Sequence, residues 1–166
     1  RRWLRLANPP LARTITAAIG DGWVTEFAEV SKLGPLADDP GFRADFLKAK
    51  REAKGQFADW LEATTGQVVD PDTIFDCQVK RIHEYKRQLL NILHVIHLYD
   101  RIKRGDVAEW TPRCVLIGGK AAPGYAMAKL IIKLVGNVAA VVNSDPAVGD
   151  RLKVVFFPNY RVTAME

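Results

Sequence analysis

The sequence predicts an α/β protein, a doubly wound parallel sheet behind a helical N-terminal portion. Two observations carry that expectation. Over residues 71–166, short β-prone runs alternate with helical stretches in the order strand, helix, strand, helix, strand. Over residues 1–70 the apolar positions instead recur at helical spacing.

The elements follow in order. "NPPLARTITAAIG" offers Asn8 as an N-cap, prolines for the first turn and Gly20 as a stop. Asp21 is expected to cap a short helix running through Phe27. In "DPGFRADFLKAKREAKGQFADWLEATTG", Phe42, Phe46, Leu47, Phe57, Trp60 and Leu61 fit one apolar stripe of a long helix that Gly66 ends. "IFDCQV" is the first strand. A helix from His83 to Lys103 is expected next, closed by Gly105, and "LLNILHVIHLY" reads as apolar on nearly all sides and therefore buried. "RCVLIGG" is a strand breaking on paired glycines, "PGYAMAKLIIKLVGNVAAVVN" a second crossover helix, and "LKVVFF" a third strand. Right-handed crossovers would bring the strand C-termini, with the loops after them, to one edge, where open α/β sheets bind ligands.

The totals narrow the function classes. A chain of 166 residues is long enough for one core-bearing domain. With 24 Lys and Arg against 19 Asp and Glu, the net charge of +5 favours an anionic ligand. No basic stripe with interleaved aromatics points to nucleic acid. No apolar run reads as long enough to span a bilayer, so no membrane partner is expected. Cys77 and Cys114 are expected to be reduced core thiols, since metal-site spacings are absent, and this points to a cytoplasmic address. The chain opens on "RRWLRL" without a start signal and stops after a strand-like run, so it is expected to be a piece of a longer protein.

The stretch "QVKRIHEYKRQLLN" holds the strongest chemical signal. Lys80 and Arg81 follow the first strand, and His83 to Lys86 are expected in the first turn of the next helix. Cations there oppose the helix dipole and call for a compensating anion, of which phosphate is the natural candidate. A solvated charge run is the alternative. The loop "IGGKAAPGY" has a lysine among glycines, yet Gly118, Gly119 and Gly124 match neither phosphate-loop spacing. It also reads as a tight turn whose glycines allow close packing. His94 and His97 lack accompanying carboxylates or thiols and read as core histidines, so no metal site is expected. Tyr160 and Arg161 follow the third strand, and Trp3 is either core or an aromatic platform.

Three motifs, "DCQVKRIHEYKRQLLN", "IGGKAAPGYAMAKLIIKLV" and "LKVVFFPNYRV", in this order closely resemble the C-terminal domain of glycogen (α-glucan) phosphorylases, and "RRWL" fits the tail of that family's "TPRRW" run. The resemblance covers essentially the whole chain. It implies one partial domain, with residues 1–70 a helical lead-in and 71–166 a Rossmann-like core belonging to a two-Rossmann-domain glycosyltransferase fold. It further implies a cytoplasmic enzyme, homodimeric at full length and in some members allosteric. That enzyme cleaves terminal α-1,4 links of glycogen, starch or maltodextrin with inorganic phosphate and releases glucose 1-phosphate.

Pyridoxal 5′-phosphate is the implied cofactor, its phosphate acting as acid and base. Lys80 resembles the lysine that helps hold the cofactor phosphate. Arg81 resembles the arginine that binds substrate phosphate, and Lys86 the lysine between the two phosphates. Tyr85 is similar to the tyrosine at the glucosyl hydroxyls, and His83 to the histidine that contacts a gating loop. Trp3, Tyr160 and Arg161 resemble residues around the cofactor ring, and Tyr125 an aromatic lining an inhibitor pocket in regulated members. The family's cofactor-bearing lysine lies in a downstream "GTGNMKF" segment that this sequence does not reach, so the isolated piece is expected to be inactive. A phosphate- or nucleotide-binding Rossmann-like module, or a related nucleotide-sugar glycosyltransferase, is the alternative.

Overall fold

The computed structural model describes residues 2–158 and 160. They form two compact units, one running to Thr64 and one beginning at Thr65.

The first unit is helical. Helix α1 spans Arg2–Ala7 and α2 spans Pro9–Ile19. The Asn8 side chain caps α2 by accepting from the Leu11 N–H at 3.1 Å. Ala12 and Ile15 of α2 pack with buried Trp23, whose indole N–H donates to Thr16 Oγ1. Asp21 corrects the sequence reading: it makes no capping bond, and only a 3-10 turn, Gly22–Val24, follows before a longer 3-10 segment, Phe27–Leu36. Helix α3, Pro40–Thr65, has the expected length but buries Ala49, Ala58 and Leu61, while Phe46, Leu47 and Trp60 are exposed. The small alanines, rather than the aromatics, mark the face that is closely covered.

The second unit is a three-stranded parallel sheet in the order β1 (Ile74–Val79), β2 (Arg113–Gly119), β3 (Leu152–Pro158), with α4 (Gln88–Lys103) and α5 (Ala126–Ser144) as crossovers. Ile74 pairs with Arg113, and Arg113 with Leu152, so all three strands begin together and their carboxyl ends fall within one residue of one another. In these strands the winding runs in one direction, and both helices share one core. Ile92, Val95 and Leu98 of α4 and Ile131 and Val135 of α5 cluster with Val115, Ile117 and Val154. Cys114, Leu116, Val155 and Phe157, which alternate with those strand positions, are also buried, as parallel strands require. Beside β3, Asn143 uses its amide in both directions: Nδ2 donates to the Val154 carbonyl at 2.7 Å and Oδ1 accepts from the Val154 N–H at 2.9 Å.

Five sequence readings need correction in this unit. Helix α4 begins at Gln88 rather than His83, for reasons given with the site below. It is also one-sided: Leu89, Leu90, Leu93 and Ile96 are exposed, because only the stripe through Ile92, Val95 and Leu98 meets the core. His94 and His97 lie off that stripe and are exposed, not core. Cys77, on the edge strand, is exposed as well, while buried Cys114 has its thiol pushed up to about 12, first by desolvation; neither is in a disulfide. The reading that no run could span a bilayer also falls. Helix α5 is long and apolar enough to cross a membrane by length and composition alone. Here it lays Ala128, Ile131, Val135 and Val142 into the core.

Candidate functional site

The site lies beyond the carboxyl ends of β1 and β2, where the sheet rule places it. Pairing between the two strands runs past their ends. The Lys80 N–H donates to the Gly118 carbonyl at 3.0 Å, and the Ile82 N–H to the Lys120 carbonyl at 3.2 Å. Two glycines make room for this. A Cβ on Gly118 would stand 2.3 Å from the Phe157 ring, and one on Gly119 would stand 2.4 Å from the Lys80 carbonyl oxygen. The paired glycines therefore serve close approach, here of a ring and a neighbouring main chain.

Beyond Ile82, which is buried, the chain turns through a 3-10 segment, Glu84–Lys86. The His83 side chain opens it, Nδ1 accepting from the Tyr85 N–H. Arg87 ends it in the left-handed region at φ 62°, the only described non-glycine residue with positive φ, and there the chain swings into α4. That break is why the charged residues precede the helix instead of forming its first turn.

Amide side chains hold the segment down. Gln78 Nε2 donates to the Lys86 carbonyl at 2.9 Å while its Oε1 accepts from Asn91 Nδ2 at 2.9 Å. Gln88, fully buried, donates from Nε2 to the Arg81 carbonyl at 3.2 Å and accepts at Oε1 from the His83 N–H at 3.3 Å. Sequence reasoning missed all three residues. Gln88 was detectable, because it stands four residues before Ile92, on the apolar stripe.

A cleft of about 610 Å³ is lined by Arg81, His83, Tyr85, Lys86, Lys120 and Tyr125, among others. The His83 ring lies between those of Tyr85 and Tyr125, with centroids 4.3 Å and 4.9 Å away. Lys86 Nζ stands 5.4 Å from the Tyr85 ring centroid. Glu84 is the one acid in this basic stretch, and it is engaged by Tyr125: the phenol donates to its carboxylate and accepts from its N–H. That carboxylate contact raises the Tyr125 pKa above its ordinary value. Among the described residues, no ion pair neutralises Lys80, Arg81, Lys86 or Lys120.

The fold thus brings Arg81, His83, Tyr85 and Lys86 to one cleft and adds Lys120, whereas Lys80 is outside the lining. Trp3 stands on α1 in the first unit and is 57% exposed. Tyr160 is half-buried just past β3, and Arg161 lies outside the described residues. Among the described residues, no group of three His, Cys, Asp or Glu side chains could hold a metal.

Comparison with known proteins identifies the family. The sequence profile of the carbohydrate phosphorylase family matches residues 1–166. The chain belongs to that family. It is 57% identical to glycogen phosphorylase of Synechocystis over 98% of its own length and 19% of that protein's. It is 55% identical to the human brain form of glycogen phosphorylase and 52% identical to the Chlamydia trachomatis glycogen phosphorylase, each over the whole of this chain and 20% of the relative. This carbohydrate phosphorylase segment therefore spans about a fifth of the length of the curated relatives it matches.

Proposed function

We propose that this segment is the cation-bearing part of the active site of an α-glucan phosphorylase, and that both units belong to one partial C-terminal domain of it. The full-length enzyme would use inorganic phosphate to cleave terminal α-1,4 links of glycogen, starch or maltodextrin, releasing glucose 1-phosphate. Its setting would be cytoplasmic and its full-length form a homodimer. The observation that carries this reading is the set of four cations on two adjoining loops, none of them matched by a carboxylate among the described residues.

The roles follow from charge and shape. Two phosphate groups drawn close together repel strongly, and fixed cations can offset that repulsion. Arg81 offers a planar fork for the oxygens of the substrate phosphate, whereas Lys86 is a point charge suited to stand between two phosphates. Lys86 is half-buried beside the Tyr85 ring, which limits the positions its ammonium can take. Tyr85 would meet the glucosyl hydroxyls with its phenol, and His83, its ring tilted against those of two tyrosines, would meet the loop that gates the site.

Lys80 and Lys86 fit the phosphate of pyridoxal 5′-phosphate by charge, since neither has an acidic partner among the described residues. When bound, that cofactor supplies a phosphate that gives and takes a proton. Trp3, Tyr160 and Arg161 are assigned to its ring on resemblance alone.

Arg81→Ala and Lys86→Ala in the full-length enzyme test the reading. Phosphorolysis should fall by ~10²–10³, the usual loss when one charge-stabilising contact at a transition state is removed, while the cofactor's absorbance persists. Unchanged turnover would overturn these roles.

A further inference from the structure

We infer that Gln88 is a positioning residue for phosphate binding: its buried amide fixes the main chain that carries Arg81, an inference that rests on the phosphorylase reading above.

The geometry is specific. Gln88 opens α4, is fully buried, and spends both ends of its amide on the bend preceding it. Its donor goes to the Arg81 carbonyl and its acceptor to the His83 N–H, so the two bonds straddle Ile82. Ile82 is itself buried and is held from the other side by the Lys120 carbonyl. The three-residue bend is thereby fastened to the start of α4 and to the loop after β2. Only a side chain with a donor and an acceptor at one tip can make both Gln88 contacts. Leu or Met would fill the space and make neither, and an ionised Glu would lose the donor.

This fastening matters because the Arg81 side chain is long and solvent-exposed. The main-chain origin of the guanidinium is what the protein can control, and displacement of a binding group by about 1 Å is enough to weaken its action severely. A side chain that only filled the core would support every ligand equally. One that positions Arg81 would act on phosphate selectively.

The test uses the full-length holoenzyme with Gln88→Met, assayed with inorganic phosphate and glucan varied separately. The expected result is a KM for phosphate raised roughly tenfold, as for one or two lost hydrogen bonds, with the KM for glucan changed less than about twofold. Equal changes for both substrates, or none, would overturn the inference. Arg81→Ala is run in parallel. If it leaves the phosphate KM and turnover unchanged, the phosphorylase assignment of Arg81 is what fails; if it alone impairs phosphate use, only the role of Gln88 fails. Should Gln88→Met not fold, Gln88→Leu takes its place, with the same selective rise expected. Independently, the His83 amide of the unmodified enzyme should be protected from hydrogen exchange, and free exchange there would sink the proposal.

Discussion

The carbonyl oxygen of Lys80 lies 2.4 Å from the point that a Cβ on residue 119 would occupy. No real Cβ tolerates that distance, and the obstacle is main chain, with Ile82 Cδ1 at 2.9 Å behind it. Gly119→Ala should therefore push the Lys80–Ile82 strip off β2. The expected cost is about 1–3 kcal/mol of stability, as for overpacking elsewhere, together with weaker phosphate use. Chemical denaturation of the full-length enzyme, alongside its phosphate KM, checks both. A variant with unchanged stability and KM would mean that the strip is free to shift.

Asn143 predicts a purely structural defect. Its amide satisfies both polar groups of Val154, a residue with no exposed surface. Asn143→Ala leaves a buried N–H and a buried carbonyl without these partners, at about 1–3 kcal/mol for such a loss. Because the contact is beside β3 and away from the cation-bearing loops, the denaturation midpoint should drop while the phosphate KM stays unchanged. Retained stability would show that water or another group replaces the amide.

Asp145 gives an acid-sensitive contribution. Its carboxylate accepts from Lys103 Nζ at 2.8 Å, from the Tyr99 hydroxyl at 2.7 Å and, through its other oxygen, from the Ala147 N–H at 2.9 Å. These bonds, the one from Lys103 foremost, hold its pKa down to about 2 from an ordinary 3.8. A depressed folded value means the contribution is complete above the ordinary carboxyl range and is lost as pH falls through 3.8 toward 2. Urea midpoints of the 166-residue chain across that window should decline with acid, and Asp145→Asn should remove this part of the decline. An identical slope in the variant would discount the contact.

The order of elements in the second unit was legible because each run keeps its own period, and glycines or prolines stand between most of them. The start of α4 was not. "HEYKRQLLN" contains no breaker, and Glu, Lys, Arg and Gln all suit a helix. What stops the helix there is contact made across the fold, from Gln78 to the Lys86 carbonyl and from Gln88 to the Arg81 carbonyl, and no local pattern encodes it. The aromatic residues of α3 misled for a related reason, since helical spacing shows which residues share a face but not how closely that face is covered. At the candidate site, charge drew attention to the loop, whereas the neutral residues that hold it in place carry no such mark.

That division between charged and neutral parts has a consequence under changing ionic strength. The bonds from Gln78, Gln88, Gly118 and Lys120 that fasten the loop all join uncharged groups. Salt screens the pull of Arg81 and the lysines on an approaching anion over a Debye length of about 8 Å at physiological strength, but it has little purchase on short amide contacts. On the function proposed above, capture of the anion and the shape that would receive it are thus set by separate forces, so the first can be weakened without disturbing the second.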